Sequence, residues 1–164
     1  MDDGDDREYS RAPEFEDVVE LCRSLNAEGV RYLLIGGFAV ILHGFVRATK
    51  DIDLLIDPAE DNVRALKRAM ATLPDNAVSL IADDEVERYQ VVRVADEFVV
   101  DLMASACGID YAEAVRSEVD IIQIADVGVP VAGKQLLIRM KQTVRPSDQT
   151  DVMFLRRRIA EETR

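Results

Sequence analysis

The sequence predicts an α/β (α+β) fold in which helices flank a mixed β-sheet and the C-terminal end is helical. Short apolar runs alternate with segments whose apolar residues recur every three or four positions, the patterns of strands and amphipathic helices. Glycine or proline interrupts the chain between most of these segments. With 164 residues, of which 48% are hydrophobic and 32% charged, the composition is typical of one globular domain.

The first third of the chain predicts a helix, a strand and a second, short helix. Apolar side chains between residues 15 and 25 recur on one helical face, and Gly29 can end that helix in the left-handed conformation. Residues 30–35, VRYLLI, are typical of a strand. Gly36-Gly37 breaks this strand, and the short helix that follows closes at Gly44.

The middle of the chain predicts a strand, a helix and a β-hairpin. Residues 51–56, DIDLLI, form the strand, and an apolar stripe over residues 63–73 predicts a helix that stops at Pro74. The apolar segments 87–94 and 97–103 then predict the two strands of the hairpin.

The last third predicts a helix, a strand over residues 119–124, and two further helices. The first of these two covers residues 133–143, and the second begins near Ser147. The predicted order is therefore α-β-α-β-α-β-β-α-β-α-α, which favours a mixed sheet.

Charge is distributed unevenly along the chain. Residues 1–12 predict an acidic, flexible tail, and residues 13–164 predict a single domain. Residues 133–164 carry eight basic and four acidic side chains, although the net charge of the whole chain is −12. Such asymmetry can mark a partner surface, but a solvated acidic tail and an ordinary charged helix are the favoured explanation. The net charge disfavours general nucleic-acid binding.

The sequence predicts a cytoplasmic protein without a membrane partner. The longest apolar stretch, residues 33–46, is too short to span a bilayer. The acidic N-terminal segment differs from a secretory signal, which needs a basic start and an apolar run. The two cysteines, Cys22 and Cys107, are isolated, which favours a reducing compartment.

Two carboxylates lie inside the apolar strand DIDLLI. Because side chains alternate along a strand, Asp51 and Asp53 share one face. Neighbouring carboxylates repel each other unless a cation lies between them, and Mg²⁺ typically takes one or two carboxylates together with water and phosphate oxygens. Asp101 lies in another apolar strand, and pairing of the two strands could bring it close. Alternatively, each of these side chains lies at a strand edge in water.

The Gly36-Gly37 turn predicts a phosphate site. A strand that ends at two glycines and enters a helix exposes free backbone N–H groups, and the missing Cβ atoms let a phosphate approach the backbone. Most Gly-Gly pairs are only turns. Combined with Asp51 and Asp53 in the next strand, however, the pair indicates a phosphate site beside magnesium, the arrangement that handles a nucleoside triphosphate (NTP).

These motifs resemble the nucleotidyltransferase (DNA polymerase β-like) superfamily. Its pattern, a hydrophobic residue followed by Gly and by Gly or Ser, a spacer and Asp-x-Asp, matches IGG, thirteen residues and DID. The longer string GGFAVILHGFVRATKDIDLLI is similar to small AbiEii-type or minimal nucleotidyltransferases, and KQTVRPSDQTDVMFL resembles their closing motif. The resemblance covers about residues 30 to 155 and implies a minimal nucleotidyltransferase fold.

The resemblance implies roles for individual residues. Asp51 and Asp53 become ligands of one or two Mg²⁺ ions, and Asp101 becomes a third carboxylate, either a base or a further metal ligand. The residues expected to contact the NTP are Gly36, Gly37, Arg47, Thr49 and Lys141. Many catalytic members have Gly-Ser where this chain has Gly36-Gly37, so one hydroxyl contact is absent.

The implied function is a magnesium-dependent transfer of a nucleoside monophosphate from an NTP to an acceptor hydroxyl, with release of pyrophosphate. The acceptor is left open between a tRNA, a protein and a small molecule, and the family implies a toxin–antitoxin or defence setting. The alternative is a catalytically inactive, antitoxin-like module of the same fold that binds a partner protein.

Several of these residues also have purely structural explanations. Arg47 could pair with Asp51 without any nucleotide, and Lys141 could be a solvated helix residue. Asp148 and Asp151 are expected to cap or brace the last helix by pairing with nearby arginines.

Overall fold

A computed structural model of the protein describes residues 10–163. Within this range the chain forms a six-stranded mixed sheet and a two-stranded antiparallel sheet. In chain order the strands are β1 (Tyr32–Ile35), β2 (Asp51–Ile56), β3 (Val92–Ala95), β4 (Val99–Met103), β5 (Ser105–Ala106), β6 (Ile109–Asp110), β7 (Val119–Ile124) and β8 (Val127–Ala132).

The helices lie between the strands and at the C-terminal end. In chain order they are α1 (Phe15–Ala27), α2 (Gly36–Leu42), α3 (Glu60–Met70), α4 (Glu85–Arg88), α5 (Tyr111–Ser117), α6 (Lys134–Met140) and α7 (Pro146–Glu162). A 3₁₀ helix covers Ala77–Leu80. None of these helices is both long and apolar enough to cross a membrane.

The large sheet has the strand order β3-β4-β2-β1-β8-β7. The central pairs β2–β4 and β1–β8 are parallel, whereas β1–β2, β3–β4 and β7–β8 are antiparallel. All four residues of β1 are buried, as expected for a central strand with both faces covered. Helices α1 and α3 pack against each other and bury their apolar stripes. The predicted mixed α/β sheet with a helical C-terminal end is therefore confirmed.

The structure differs from the prediction at residues 85–88 and at strands β5, β6 and β8. Residues 85–88 form a helical turn closed by backbone hydrogen bonds such as Tyr89 N to the carbonyl of Glu85, so β3 begins only at Val92. Strand β8 was not predicted because Gly128 and Pro130 are unusual inside a strand. The partial pairing of β8 with β1, through Val131 and Leu34, accommodates the proline.

Residues 1–9 of the predicted acidic tail lie outside the described residues. The first described residues, Ser10 and Arg11, contact the turn between β3 and β4. Ser10 Oγ donates a hydrogen bond of 2.8 Å to the carbonyl of Asp96, and the backbone N–H of Arg11 donates one of 2.9 Å to the carbonyl of Glu97. These contacts bring the start of the described chain to the edge of the sheet that β3 forms.

Candidate active site

Strand pairing brings the three predicted carboxylates together. β2 and β4 run in parallel with Asp53 opposite Asp101, and neighbouring strands lie about 4.8 Å apart. Residues in register on neighbouring strands project from the same face, so Asp101 lies beside Asp53, and Asp51 lies two residues earlier on that face. Asp101 is buried, with 6% of its surface exposed, whereas Asp51 and Asp53 are half-buried.

The Gly36-Gly37 turn lies directly against these side chains. Gly36 follows β1, whose last residue pairs with Asp53, and it has a φ of +72°. A Cβ atom at Gly36 would overlap Asp53 Oδ2, and one at Gly37 would lie 2.7 Å from Thr49 Oγ1 and 3.6 Å from Arg47 Cζ. Gly36 therefore requires glycine, because its positive φ and its contact with Asp53 both exclude a Cβ atom, whereas a Cβ atom at Gly37 would force Thr49 to shift.

Arg93 is a residue of this site that the sequence did not indicate. It lies on β3 in register with Asp101, and its Nε and Nη2 lie 2.9 and 3.2 Å from the two carboxylate oxygens of Asp101. Its Nη2 also lies 3.6 Å from Asp51 Oδ2. A charged residue between two valines normally indicates the solvent face of a strand, which is why the sequence pattern missed it.

A second charged cluster links the C-terminal helices to the segment before β2. Lys141 is buried, with 8% of its side chain exposed, and its Nζ lies 3.0 Å from Asp151 Oδ2 and 3.4 Å from Asp148 Oδ1. Arg47 Nη1 lies 2.5 Å from the same Oδ2 of Asp151. Arg47 thus has Asp151 as a partner where a pair with Asp51 was considered, and Lys141 is not a solvated residue.

Asp148 holds the start of α7 in place. It accepts hydrogen bonds from Thr143 Oγ1 at 2.6 Å and from Arg145 Nε at 3.0 Å. Burial raises the pKa of Asp148, but the hydrogen bond from Thr143 and the positive charges of Lys141 and Arg145 outweigh it, so the pKa lies below its ordinary value. The predicted bracing role of Asp148 is confirmed, and Asp151 braces the helix through Arg47 and Lys141.

The ionised form of Asp53 is disfavoured in the folded protein. Burial, followed by the negative charges of Asp101 and Asp51, raises the pKa of Asp53 to about 7, against the opposing charges of Lys141 and Arg145. The last two therefore act on Asp53 although they belong to the C-terminal cluster. A divalent cation beside Asp53 would supply the positive charge that this cluster of carboxylates favours.

The raised pKa of Asp53 predicts a specific pH dependence of stability in metal-free protein. Below about pH 4 its carboxyl is protonated in both the folded and the unfolded state. Between about pH 4 and 7 the folded state retains a proton that the unfolded chain has released, so the free energy of unfolding falls as pH rises. Compared with wild type, Asp53→Asn should gain up to about 4 kcal/mol by pH 8 and almost nothing at pH 4. Urea unfolding with chelator measures this difference, and a pH-independent difference would contradict it.

The donor set fits one magnesium ion. Asp51 and Asp53 offer hard carboxylate oxygens from one strand face, the number that Mg²⁺ usually takes from a protein. Within residues 10–163, no group of three or more His, Cys, Asp or Glu side chains is arranged to hold a metal ion. Asp101 binds Arg93 instead, so its use as a third ligand would require the guanidinium to move.

Comparison with known proteins does not assign this chain to a family. No protein-family model matches the chain, and no curated protein matches it. The likeness to nucleotidyltransferases therefore rests on the motifs around Gly36, Asp51 and Lys141, and it stays a prediction.

Proposed function

We propose that this protein is a magnesium-dependent nucleotidyltransferase, which moves a nucleoside monophosphate from an NTP to an acceptor hydroxyl and releases pyrophosphate. The observation that carries the proposal is the convergence of Asp51, Asp53 and Asp101 at the Gly36-Gly37 turn. Carboxylates that share a face beside a glycine turn at a helix start can offer oxygens to a cation and backbone N–H groups to a phosphate.

Two sets of residues would contact the phosphates of the NTP. Gly36 and Gly37 begin α2, and their backbone N–H groups would be the contacts for phosphate oxygens. Arg47 and Lys141, held together by Asp151, stabilise phosphate charge.

Three carboxylates act at the reacting phosphate. Asp51 and Asp53 would hold Mg²⁺, which when bound stabilises charge on the transferred phosphoryl group. Asp101 accepts two hydrogen bonds from the Arg93 guanidinium, and it would be the base that takes the proton of the acceptor hydroxyl.

The acceptor stays open between a tRNA, a protein and a small molecule. Most basic side chains after residue 133 have local carboxylate partners: Lys134 with Glu162, Arg139 with Glu113, Arg145 with Asp148, and Arg158 with Glu161 and Glu162. This local pairing weakens the interpretation of the segment as an RNA-binding surface, because paired cations neutralise fewer phosphates. The toxin–antitoxin or defence setting belongs to the same proposal and rests on the resemblance.

A second candidate is a catalytically inactive module that binds a partner protein. The observation that favours it is the bidentate pair between Arg93 and Asp101, which supplies a positive charge to the carboxylates without any metal. Such a module would keep the fold and lose the need for NTP and Mg²⁺.

One experiment separates the two candidates. The protein is incubated with Mg²⁺, a cell extract and each of the four α-labelled NTPs in turn, with a parallel reaction in excess EDTA. The proposed enzyme releases pyrophosphate and labels an acceptor only when Mg²⁺ is present. Absence of both products with every NTP, together with a partner protein that co-purifies in stoichiometric amount, would overturn the enzymatic proposal.

A further inference from the structure

The guanidinium of Arg93 contacts two of the three carboxylates of the site. Arg93 is on the edge strand β3 and reaches across β4, so that one side chain contacts Asp101 and Asp51 on two successive strands. Both oxygens of Asp101 accept from Arg93, at 2.9 and 3.2 Å. A planar guanidinium fits a carboxylate in this two-point manner, whereas an ammonium does not.

Burial makes this pair difficult to replace. The side chains of Arg93 and Asp101 are 18% and 8% exposed, so water screens their attraction only weakly. A divalent cation that bound Asp101 would have to break these two hydrogen bonds. The positive charge of the guanidinium would also repel it. Asp51 and Asp53 lie on one strand face, and Asp101 is the carboxylate that Arg93 binds through two hydrogen bonds.

We infer that Arg93 is a built-in counter-ion that limits the resting site to one divalent cation, held by Asp51 and Asp53, and that sets its affinity. This inference rests on the proposed function, since it assumes that the carboxylates receive a metal ion. Removal of the guanidinium releases Asp101, which then joins Asp53 as a ligand of a second cation.

The test is calorimetric titration of Mn²⁺, without nucleotide, into wild type and Arg93→Met. Wild type should bind one ion. Arg93→Met should bind two, with the first at least about tenfold tighter, because the positive charge that lies 3.6 Å from Asp51 Oδ2 has been removed. Arg93→Lys should fall between wild type and Arg93→Met, because it keeps the positive charge but loses the two-point pairing with Asp101. Arg64→Met, which removes an exposed arginine that pairs with Glu60 and Asp83, should match wild type.

Folding of Arg93→Met is checked by circular dichroism before the titration, and Arg93→Gln replaces it if the methionine variant is unfolded. An unchanged stoichiometry and affinity in the folded variant would overturn the inference even if wild type releases pyrophosphate. Conversely, if wild type binds one Mn²⁺ and Arg93→Met binds two while wild type transfers no nucleotide from any NTP, the counter-ion role stands and the proposed function fails.

Discussion

Asp53→Asn is expected to abolish nucleotidyl transfer while raising the thermal stability of the metal-free protein. The substitution removes a charge that burial and two neighbouring carboxylates disfavour, which is why the folded state gains free energy at neutral pH. The same charge is needed to hold Mg²⁺, whose stabilisation of transferred phosphate is worth several kcal/mol. We therefore expect the rate of pyrophosphate release to fall by at least about a thousandfold.

Asp57→Asn is the matched control for this change. Asp57 follows the same strand at the end opposite Asp51, where it pairs with Arg31 at 2.8 Å and accepts a hydrogen bond from the backbone N–H of Ala59. Its neutralisation should lower stability by up to about 1 kcal/mol and leave transfer unchanged. If Asp53→Asn unfolds the protein instead, the carboxylate is structural and the metal-site hypothesis is wrong.

Lys141→Met is expected to destabilise the protein strongly. Lys141 lies between two buried carboxylates, Asp148 and Asp151, which are 5% and 1% exposed. Removing one partner from a buried ionic cluster leaves charge uncompensated and costs about 3 kcal/mol or more. For a domain of this size the melting temperature should fall by about 6–12 °C, measured by calorimetry.

Two further variants test whether this loss comes from the cluster. Lys50→Met changes an exposed lysine just before β2 and should alter stability by less than about 0.5 kcal/mol. Adding Asp151→Asn to Lys141→Met should recover part of the loss, because the second change removes a charge that the first left without its ammonium partner. A melting temperature of Lys141→Met equal to that of wild type would contradict the description of a buried ionic cluster.

Local rules were sufficient for the carboxylate strand and the glycine turn. Alternation along a strand places Asp51 and Asp53 on one face whatever the rest of the fold does, and Gly36-Gly37 must interrupt β1 because glycine disfavours a strand interior. The order of most helices and strands follows from similarly local periodicity. These features depend on neighbours within a few positions of the chain, which a sequence displays directly.

Only the tertiary structure determined which charged side chains form ion pairs. Arg93 looked like a solvent-facing strand residue until the register of β3 with β4 placed it against Asp101. Arg47 and Asp151 are 104 residues apart and pair only because α7 packs beside the segment that precedes β2. Strand β8 likewise forms through pairing with β7, which compensates for its glycine and proline. Strand register and helix docking minimise the free energy of the whole core, so no short window of sequence contains the information that selects these contacts.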